Sequence, residues 1–319
     1  MTHSEDIWTL SDGHAGNLRQ AVALADALAS PPVRNIVLEP RAPWRWTAPR
    51  VWPGARHAFG REFANALHVA PRIAIGCGRQ AALATRVLRA HGSKAVQILD
   101  PRIDPAHWDV VIAPQHDAVQ GANVVSLSGS LHPVDDPWLR HAREQFVALS
   151  YLPRPRIAVL LGGSSRHAHF DRAALDSLAN ALDAVLARES GSLLLSGSRR
   201  TPQDVRAALR ARDIAAPHVR WLDVADGDNP YAGMLAWADR IVCTPDSVNM
   251  ISEACATYAP VFVFDPARAH GRPRIFLDSL LARGRIRAMD DALAPFDVEP
   301  LRETARVANE VRERLGLST

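Results

Sequence analysis

"DRIVCTPDSVNMISEACAT", residues 239–257, begins with a short apolar run and continues with apolar positions at helical spacing. A strand that leads directly into a helix is the repeating unit of a parallel α/β sheet. Between Thr244 and Glu253 the stretch also carries three hydroxyls, an amide and two carboxylates. Because one side chain is enough to cap a helix, this polar density indicates a binding site at the end of a strand.

The same alternation of short apolar runs and helical patterns extends in both directions. Strands are expected near 7–10, 34–40, 71–78, 94–101, 108–114, 122–129, 157–165, 191–202, 218–224 and 259–266, and helices near 16–29, 79–92, 170–188, 202–213 and 300–316. Such alternation predicts the α/β class with doubly wound parallel sheets.

The pattern restarts after a Pro-rich stretch that ends near residue 155, and 319 residues suit about two domains. We therefore predict an N-terminal domain over 1–150, a second domain over 151–299 and a C-terminal helix in 300–319 that could pack back on the first domain. Ligands bind at the carboxyl ends of parallel strands, so a central cleft between the two domains is the expected site.

Composition excludes several classes of protein. A net charge of +3 is too small to indicate a nucleic-acid binder. Three cysteines without a CxxC pair argue against a disulfide framework or a zinc site, and no bound metal is predicted. The N-terminal residues lack the pattern of a signal peptide, and no run of about 18 apolar residues is present. These features predict a cytoplasmic protein, with peripheral contact to the inner membrane left open.

A polar loop follows the first predicted strand. It contains two glycines that permit close approach of the backbone to a ligand, and it adds an acid, a base and two amides. The residues are Asp12, Gly13, His14, Gly16, Asn17 and Gln20. A capped turn with solvated side chains is the alternative interpretation.

Two loops of the second half could bind an anion. Free backbone N–H groups before a helix favour phosphate, and arginines hold phosphate by charge-assisted hydrogen bonds. The first loop offers Gly162, Gly163, Ser164 and Ser165, and the second offers Ser198, Arg199 and Arg200. The alternatives are an ordinary strand–helix turn and a solvated basic turn.

The opening stretch completes this predicted nucleotide site. Asp246 or Ser247 would cap the helix, Asn249 lies on its first turn, and Glu253 lies further in, near Ser252. A carboxylate can accept hydrogen bonds from both hydroxyls of a ribose. Asn229 precedes another helix and could also touch the ligand. A helix with surplus caps and a solvated glutamate is the alternative.

Further polar residues end two strands of the first half. They are Asp100, Arg102, Gln115, His116 and Asp117. A His–Asp pair can transfer protons or bind metal, and metal is the less favoured use because adjacent residues rarely share one ion.

Taken in order, several segments resemble bacterial members of the mitochondrial-fission "elongated mitochondria" family. They are "WTLSDGHAGNLRQAVALADAL", "VQILDPRI", "VIAPQHD", "LLGGSS", "SGSRRTP", "DNPYAGMLAWAD" and "TPDSVNMISEACAT", and they span about 6–270. That family is similar in turn to GT-B glycosyltransferases. The resemblance implies two Rossmann-like domains that face a cleft.

The resemblance also implies roles for the polar loops. The second domain would hold a nucleotide sugar, with Glu253 on the ribose, and the loop at 11–17 would lie on the acceptor side. His14 or Asp12 would be the general base. The expected donor is a nucleoside diphosphate sugar without a tightly bound cofactor, and the acceptor, an envelope glycan or a lipid-linked group, is unknown.

Three functional hypotheses follow from these residues and the resemblance. The first is a metal-independent glycosyltransferase that inverts the configuration of the sugar. The second is a nucleotide-sugar 2-epimerase, which shares the fold but abstracts a proton. The third is a GT-B-like protein without catalysis that acts as a binding or scaffold protein.

Overall fold

The structure is a computed structural model that describes residues 4–28 and 32–317. Its strands are β1 (Ser4–Ser11), β2 (Val33–Val37), β3 (Pro71–Cys77), β4 (Lys94–Ile98), β5 (Val110–Pro114), β6 (Val124–Leu127), β7 (Arg156–Leu160), β8 (Ser192–Ser196), β9 (His218–Trp221), β10 (Arg240–Cys243), β11 (Val261–Val263) and β12 (Ile286–Ala288). Residue 29, with which the predicted first helix ends, lies outside the described residues.

The α-helices alternate with these strands along most of the chain. They are α1 (Ala15–Leu28), α2 (Trp44–Thr47), α3 (Gly60–Ala66), α4 (Arg79–Ala90), α5 (Asp136–Gln145), α6 (Arg172–Glu189), α7 (Gln203–Ala211), α8 (Tyr231–Trp237), α9 (Val248–Cys255), α10 (Arg272–Ala282) and α11 (Thr304–Leu315). Neither α2 nor α3 is anticipated by the sequence analysis.

The strands form two six-stranded sheets in which the assigned strand pairs are parallel. The strand orders are β2-β1-β3-β4-β5-β6 and β12-β11-β10-β7-β8-β9. The predicted α/β class with two doubly wound parallel sheets is confirmed. Strands such as β7 are buried along their whole length, as expected when helices cover both faces of a parallel sheet.

The chain divides into two compact units at a different point from the predicted boundary at residue 150. Unit 1 contains residues 1–133 and 303–319, and unit 2 contains 134–302. Helix α5 belongs to unit 2 because it packs on α8: Arg143 Nε donates to the carbonyl of Ala236 at 2.9 Å. A Cβ on Gly233 would come within 2.4 Å of Phe146, so the contact between these segments is close.

Unit 1 has an apolar core on each face of its sheet. Alternate residues of β1 point to opposite faces, so Ile7 joins a cluster with Leu24 of α1 and Val311 of α11, while Trp8 joins one with Leu83 of α4. The C-terminal helix α11 therefore completes the core of unit 1.

Unit 2 is built in the same way. Ile157 of β7 packs with α6 and α7, and the next residue, Ala158, packs with α8, α9 and α10 on the opposite face. The strands are consequently held in place by apolar contacts on both sides.

Candidate functional site

Each sheet reverses its strand order at one place. In unit 1 the reversal lies between β1 and β3, and in unit 2 it lies between β7 and β10. The loops that leave two such strands diverge to opposite faces of the sheet and open a crevice at the carboxyl ends, where ligands of doubly wound proteins bind. The predicted loops at 11–17, 161–165 and 244–247 follow strands that border these two positions.

In unit 2 the loops after β7 and β10 are joined by hydrogen bonds. The N–H of Gly162 donates to Thr244 Oγ1 and the N–H of Gly163 donates to Asp246 Oδ2, both at 2.8 Å. Thr244 Oγ1 in turn donates to Asp246 Oδ1 at 2.7 Å. Two backbone donors that the sequence assigns to a bound anion are therefore engaged by side chains of the chain itself.

Both glycines of this turn are required by the close approach of other residues. A Cβ on Gly162 would lie 2.2 Å from Asp246 Oδ2, and a Cβ on Gly163 would lie 2.0 Å from the carbonyl oxygen of Arg200. These distances are far inside van der Waals contact, so any side chain here would separate the three loops.

Asp246 is the centre of this arrangement. Its side chain is 1% exposed and pairs with Arg200, whose Nη2 lies 3.1 Å from Oδ2. Burial raises the pKa of Asp246, while the bonds from Thr244, Arg200 and Gly163 oppose the rise. The side chain of Arg200 remains 48% exposed, so a buried carboxylate fixes a cation that is still accessible to a ligand.

The loop after β8 closes on the same turn. Ser198 Oγ and Thr201 Oγ1 donate to the carbonyl of Gly162 at 2.5 and 2.6 Å, and the N–H of Ser198 donates to Thr201 Oγ1 at 2.8 Å. Arg199 is exposed and makes no hydrogen bond or ion pair with the other described residues. Ser198 thus shapes the loop, whereas Arg199 can reach a ligand without breaking an internal contact.

The two serines after the glycines stabilise their own loop. Ser164 Oγ accepts from the N–H of Phe170 at 3.2 Å, and Ser165 Oγ accepts from the N–H of His167 at 3.1 Å. Their hydroxyls hold the segment that leads into α6.

The start of α9 has one cap. The sequence left Asp246 and Ser247 as alternatives, and the structure assigns the cap to Ser247, which accepts from the N–H of Met250 at 3.5 Å. Asn249 is partly exposed on the first turn, and Ser252 Oγ donates to the carbonyl of Val248 at 2.8 Å. Asp246 is thereby left to engage the loop after β7.

Glu253 is buried rather than solvated. It is 3% exposed, and one carboxylate oxygen accepts from the hydroxyl of Tyr231 at 2.5 Å. Tyr231 is the first residue of α8, and its N–H donates to Oδ1 of the exposed Asn229 at 3.0 Å. The hydrogen bond between Tyr231 and Glu253 therefore joins the loop at 226–231 to helix α9.

In unit 1, Asp12 organises the loop after β1. Its Oδ1 accepts from Asn17 Nδ2 at 2.9 Å and from the N–H of His14 at 3.2 Å, and it lies 3.0 Å from His14 Nδ1. The His14 side chain is 80% exposed. A carboxylate that orients an accessible imidazole is a common arrangement for proton transfer.

Neighbouring residues fix this loop at the β1–β3 position. A Cβ on Gly78 would lie 2.7 Å from Asn17 Nδ2, and Gly13 has φ of 78°, which favours glycine. Burial, together with the charge of Asp12, raises the pKa of the Cys77 thiol well above its ordinary value. Gly16 and Gln20 lie in α1, and the side chain of Gln20 is buried.

The other predicted residues of unit 1 lie further along the same edge. Asp100 Oδ1 accepts from the N–H of Arg102 after β4, and Gln115 Oε1 accepts from Ser128 Oγ after β5. His116 and Asp117 follow Gln115 in a 3-10 turn. Neighbouring strands are about 4.8 Å apart, and β3 lies between β1 and β4. The loops that carry these residues therefore follow strands that lie about 10 Å or more from β1.

Sequence reasoning missed the structural roles of Thr244 and Gly78. Both directly follow strands, at positions where a hydroxyl or a glycine often mediates contact with the next loop, and that position is the only signal they carry. Among the described residues, no group of three or more His, Cys, Asp or Glu side chains could hold a metal ion. Within the same residues, no helix is long and apolar enough to cross a membrane.

Comparison with solved structures supports the fold assignment. The chain is similar to UDP-GlcNAc 2-epimerase of Methanocaldococcus jannaschii, with a TM-score of 0.54, 10% identity and coverage of 97% of this chain and 99% of the other. It is also similar to MurG of Acinetobacter baumannii, with a TM-score of 0.50, 13% identity and coverage of 98% and 92%. The chain therefore has the two-domain, Rossmann-like GT-B fold.

Sequence comparison identifies the family. The chain is 31% identical over 279 residues to the mitochondrial fission protein ELM1 of Arabidopsis thaliana, a match that covers 77% of this chain and 64% of the plant protein. It is 24% identical to an uncharacterized protein of Rickettsia prowazekii (strain Madrid E), with coverage of 98% and 99%. The family model described as mitochondrial fission ELM1 matches residues 15–315, and the chain belongs to this family.

Proposed function

We propose that unit 2 binds a nucleoside diphosphate sugar at the β7–β10 position and that the chain is a glycosyltransferase of the GT-B type. The observation that supports this most is the pairing of Arg200 with buried Asp246 beside the N-terminus of α9. An accessible guanidinium in a fixed position, beside the N-terminus of a helix, suits a diphosphate.

The phosphate contacts in this proposal differ from those that the sequence alone suggests. Because the N–H groups of Gly162 and Gly163 are engaged, the proposal assigns the diphosphate to Arg199, Arg200 and the first turn of α9, including Asn249. The donor charge is then balanced by arginines rather than by a metal ion.

Glu253 and Asn229 form the proposed sugar side of the nucleotide site. Glu253 accepts from the hydroxyl of Tyr231, and in the proposal its carboxylate turns toward the ribose hydroxyls when the nucleotide binds. Two structural relatives support this ligand class. The Methanocaldococcus jannaschii epimerase is in complex with UDP-GlcNAc and UDP, and Staphylococcus aureus MnaA is in complex with UDP.

The acceptor side is proposed to lie in unit 1. His14 would take the proton from an acceptor hydroxyl, while Asp12 orients the imidazole. The oxygen of that hydroxyl then bonds to the anomeric carbon of the sugar, and the nucleoside diphosphate leaves with the electron pair. Asp100, Arg102, Gln115, His116 and Asp117 would contact the acceptor, an envelope glycan or a lipid-linked group.

Calorimetry with UDP, GDP, ADP, TDP and CMP tests the nucleotide site. We expect one nucleotide to bind, and we expect Arg199→Ala and Glu253→Gln each to weaken its binding about tenfold or more, since each removes a charged hydrogen bond. Glu253→Gln keeps an acceptor for Tyr231, and Arg199→Ala breaks no hydrogen bond or ion pair among the described residues. Arg140→Ala, an exposed arginine of α5 in the same unit, is the matched control. If no nucleotide binds, the proposal is wrong.

A second function is favoured by the engaged glycines. A turn whose donors are satisfied by Thr244 and Asp246 is stable without any ligand, as a non-catalytic binding or scaffold protein requires. Incubation of the chain with sugar derivatives of the nucleotide that calorimetry identifies separates the remaining possibilities. Transfer or slow hydrolysis that His14→Ala abolishes supports the glycosyltransferase, an epimerised donor supports the 2-epimerase, and unchanged donor supports the scaffold.

A further inference from the structure

A second surface of unit 1 has a composition unlike the rest of the chain. Residues 41–61 contain five arginines, three tryptophans and no acidic residue. The segment follows β2, includes α2 and ends in the first turn of α3. None of its residues belongs to the site described above. We call this surface, 41–61 with the adjoining arginines of α4, the basic aromatic face.

The tryptophans of this face are presented to solvent. Trp46 is 71% exposed and Trp52 is 52% exposed, and Val51 between them in sequence is 49% exposed. Single exposed apolar side chains are common, but several within one short segment can form a patch of the kind that marks an interaction site. The third tryptophan, Trp44, is partly buried and packs under Gly54, where a Cβ would lie 3.4 Å from its ring.

The segment is held in a fixed conformation by donors from α4. Arg79 donates to the carbonyls of Arg45 and Trp46 at 3.1 Å, and Arg86 Nη1 donates to the carbonyl of Pro49 at 2.6 Å. These bonds use the backbone of the segment and leave the side chains of Arg45, Trp46 and Arg50 exposed. The exposed tryptophans are consequently preorganised on a rigid support.

The surroundings of the segment are also basic. Trp52 and Val51 line an open cavity of about 700 Å³ together with Arg56, Arg86 and Arg89. Asp109, which pairs with Arg89 at 3.3 Å, offsets one of these charges. The face therefore combines an apolar centre with a surplus of positive charge.

We propose that the basic aromatic face binds a membrane surface rich in anionic phospholipid. Tryptophan favours the boundary between headgroups and acyl chains, and each arginine near an anionic leaflet adds to the attraction. A cluster of several arginines beside exposed tryptophans matches both requirements, and it gives the peripheral membrane contact left open by the sequence a specific location. This proposal does not depend on the nucleotide site.

Flotation with vesicles tests the proposal. The full chain is mixed with vesicles of phosphatidylcholine alone or of phosphatidylcholine with phosphatidylglycerol. We expect flotation only with the anionic vesicles, weaker binding at high salt, and a blue shift of tryptophan fluorescence as Trp46 and Trp52 leave water.

Two double variants distinguish the contributions. Arg45→Glu/Arg50→Glu should lower partitioning about 30-fold or more, because two attractive charges become repulsive. Trp46→Ala/Trp52→Ala should lower it about tenfold and abolish the blue shift. All four side chains are exposed, so the fold is kept, and circular dichroism verifies this. Arg72→Glu/Arg140→Glu makes the same change in net charge at other exposed sites and should bind like the unmodified chain.

Several results would overturn the proposal. They are the absence of flotation with anionic vesicles, equal binding to neutral vesicles, or an equal loss in the Arg72→Glu/Arg140→Glu control. Binding of a single-stranded oligonucleotide that requires Arg45 and Arg50, without vesicle binding, would assign the face to nucleic acid instead.

Discussion

The two loop clusters at the strand-order reversals have the same topological position and opposite character. In unit 2, Asp246 is buried and holds Gly163, Thr244 and Arg200 together. In unit 1, His14 is exposed and its partner Asp12 organises only the local turn. The Asp246 cluster is therefore part of the structural framework of unit 2. In unit 1 the imidazole of His14 lies at the surface, and the fold can tolerate its loss.

This difference separates residue types that the sequence presents as equivalent. Both loops contain glycine, carboxylate and hydroxyl or imidazole groups after a strand, and both suggest a ligand. In unit 2 most of these groups stabilise contacts between loops, so substitutions there should affect stability first. In unit 1 they should affect activity with little effect on stability.

The largest effect is expected for Gly163→Ala. The new Cβ would lie 2.0 Å from the carbonyl oxygen of Arg200, and because that atom belongs to the backbone the overlap cannot be relieved by a side-chain rotation. We expect the free energy of unfolding, measured in urea, to fall by about 3 kcal/mol or more. Gly13→Ala in unit 1 is the matched control, with an expected loss of about 1 kcal/mol from its positive φ. Equal losses would remove the distinction between the two clusters.

The second effect is expected for Asp246→Ala. The substitution leaves the N–H of Gly163 without an acceptor in a buried position and frees Arg200. A loss of about 2 kcal/mol should follow from the unsatisfied donor. Chemical unfolding monitored by circular dichroism gives the free energy of unfolding. A loss smaller than that caused by a substitution at an exposed site would show that Asp246 is dispensable.

Asp246 also predicts a dependence of stability on pH. Burial raises its pKa in the folded chain, so the folded state keeps this proton to a higher pH than the unfolded state does. The contribution of Asp246 to stability is therefore greatest below its unfolded pKa and decreases as the pH rises through the raised value. The stability advantage of the unmodified chain over Asp246→Asn should shrink across that interval. An advantage that grows with pH would contradict the raised pKa.

A smaller effect is expected for Tyr231→Phe. The change removes the hydroxyl that donates to Glu253 at 2.5 Å and keeps the ring in the core. The free energy of unfolding should fall by about 1 kcal/mol, as measured by thermal or urea unfolding. Tyr258→Phe, which removes an exposed hydroxyl bonded to Asp136, serves as the control and should change stability less.

The smallest effect on stability is expected for His14→Ala. Because the imidazole is 80% exposed, the free energy of unfolding should change by less than about 0.5 kcal/mol. Differential scanning calorimetry can detect a larger change, which would place His14 in the framework of unit 1. If stability is preserved, any loss of activity in this variant comes from the missing imidazole and not from unfolding.

The sequence by itself determined the parallel α/β class, the approximate positions of most elements and the location of polar loops at strand ends. These properties follow from apolar periodicity and from capping residues, which act over a few neighbouring positions. The placement of Ser247 or Asp246 at the start of α9 is an example, since either residue lies within one turn of the helix that it could cap.

Only the tertiary structure decided which polar groups hold the fold and which remain accessible. Gly163 and Asp246 are 83 positions apart, Arg200 and Asp246 are 46 apart, and Tyr231 and Glu253 are 22 apart. Local propensity carries no information about pairs at such separations, because their contact depends on strand order and on the packing of whole helices. For the same reason the unit boundary lies at residue 133 rather than 150: α5 is placed by its contact with α8, far along the chain.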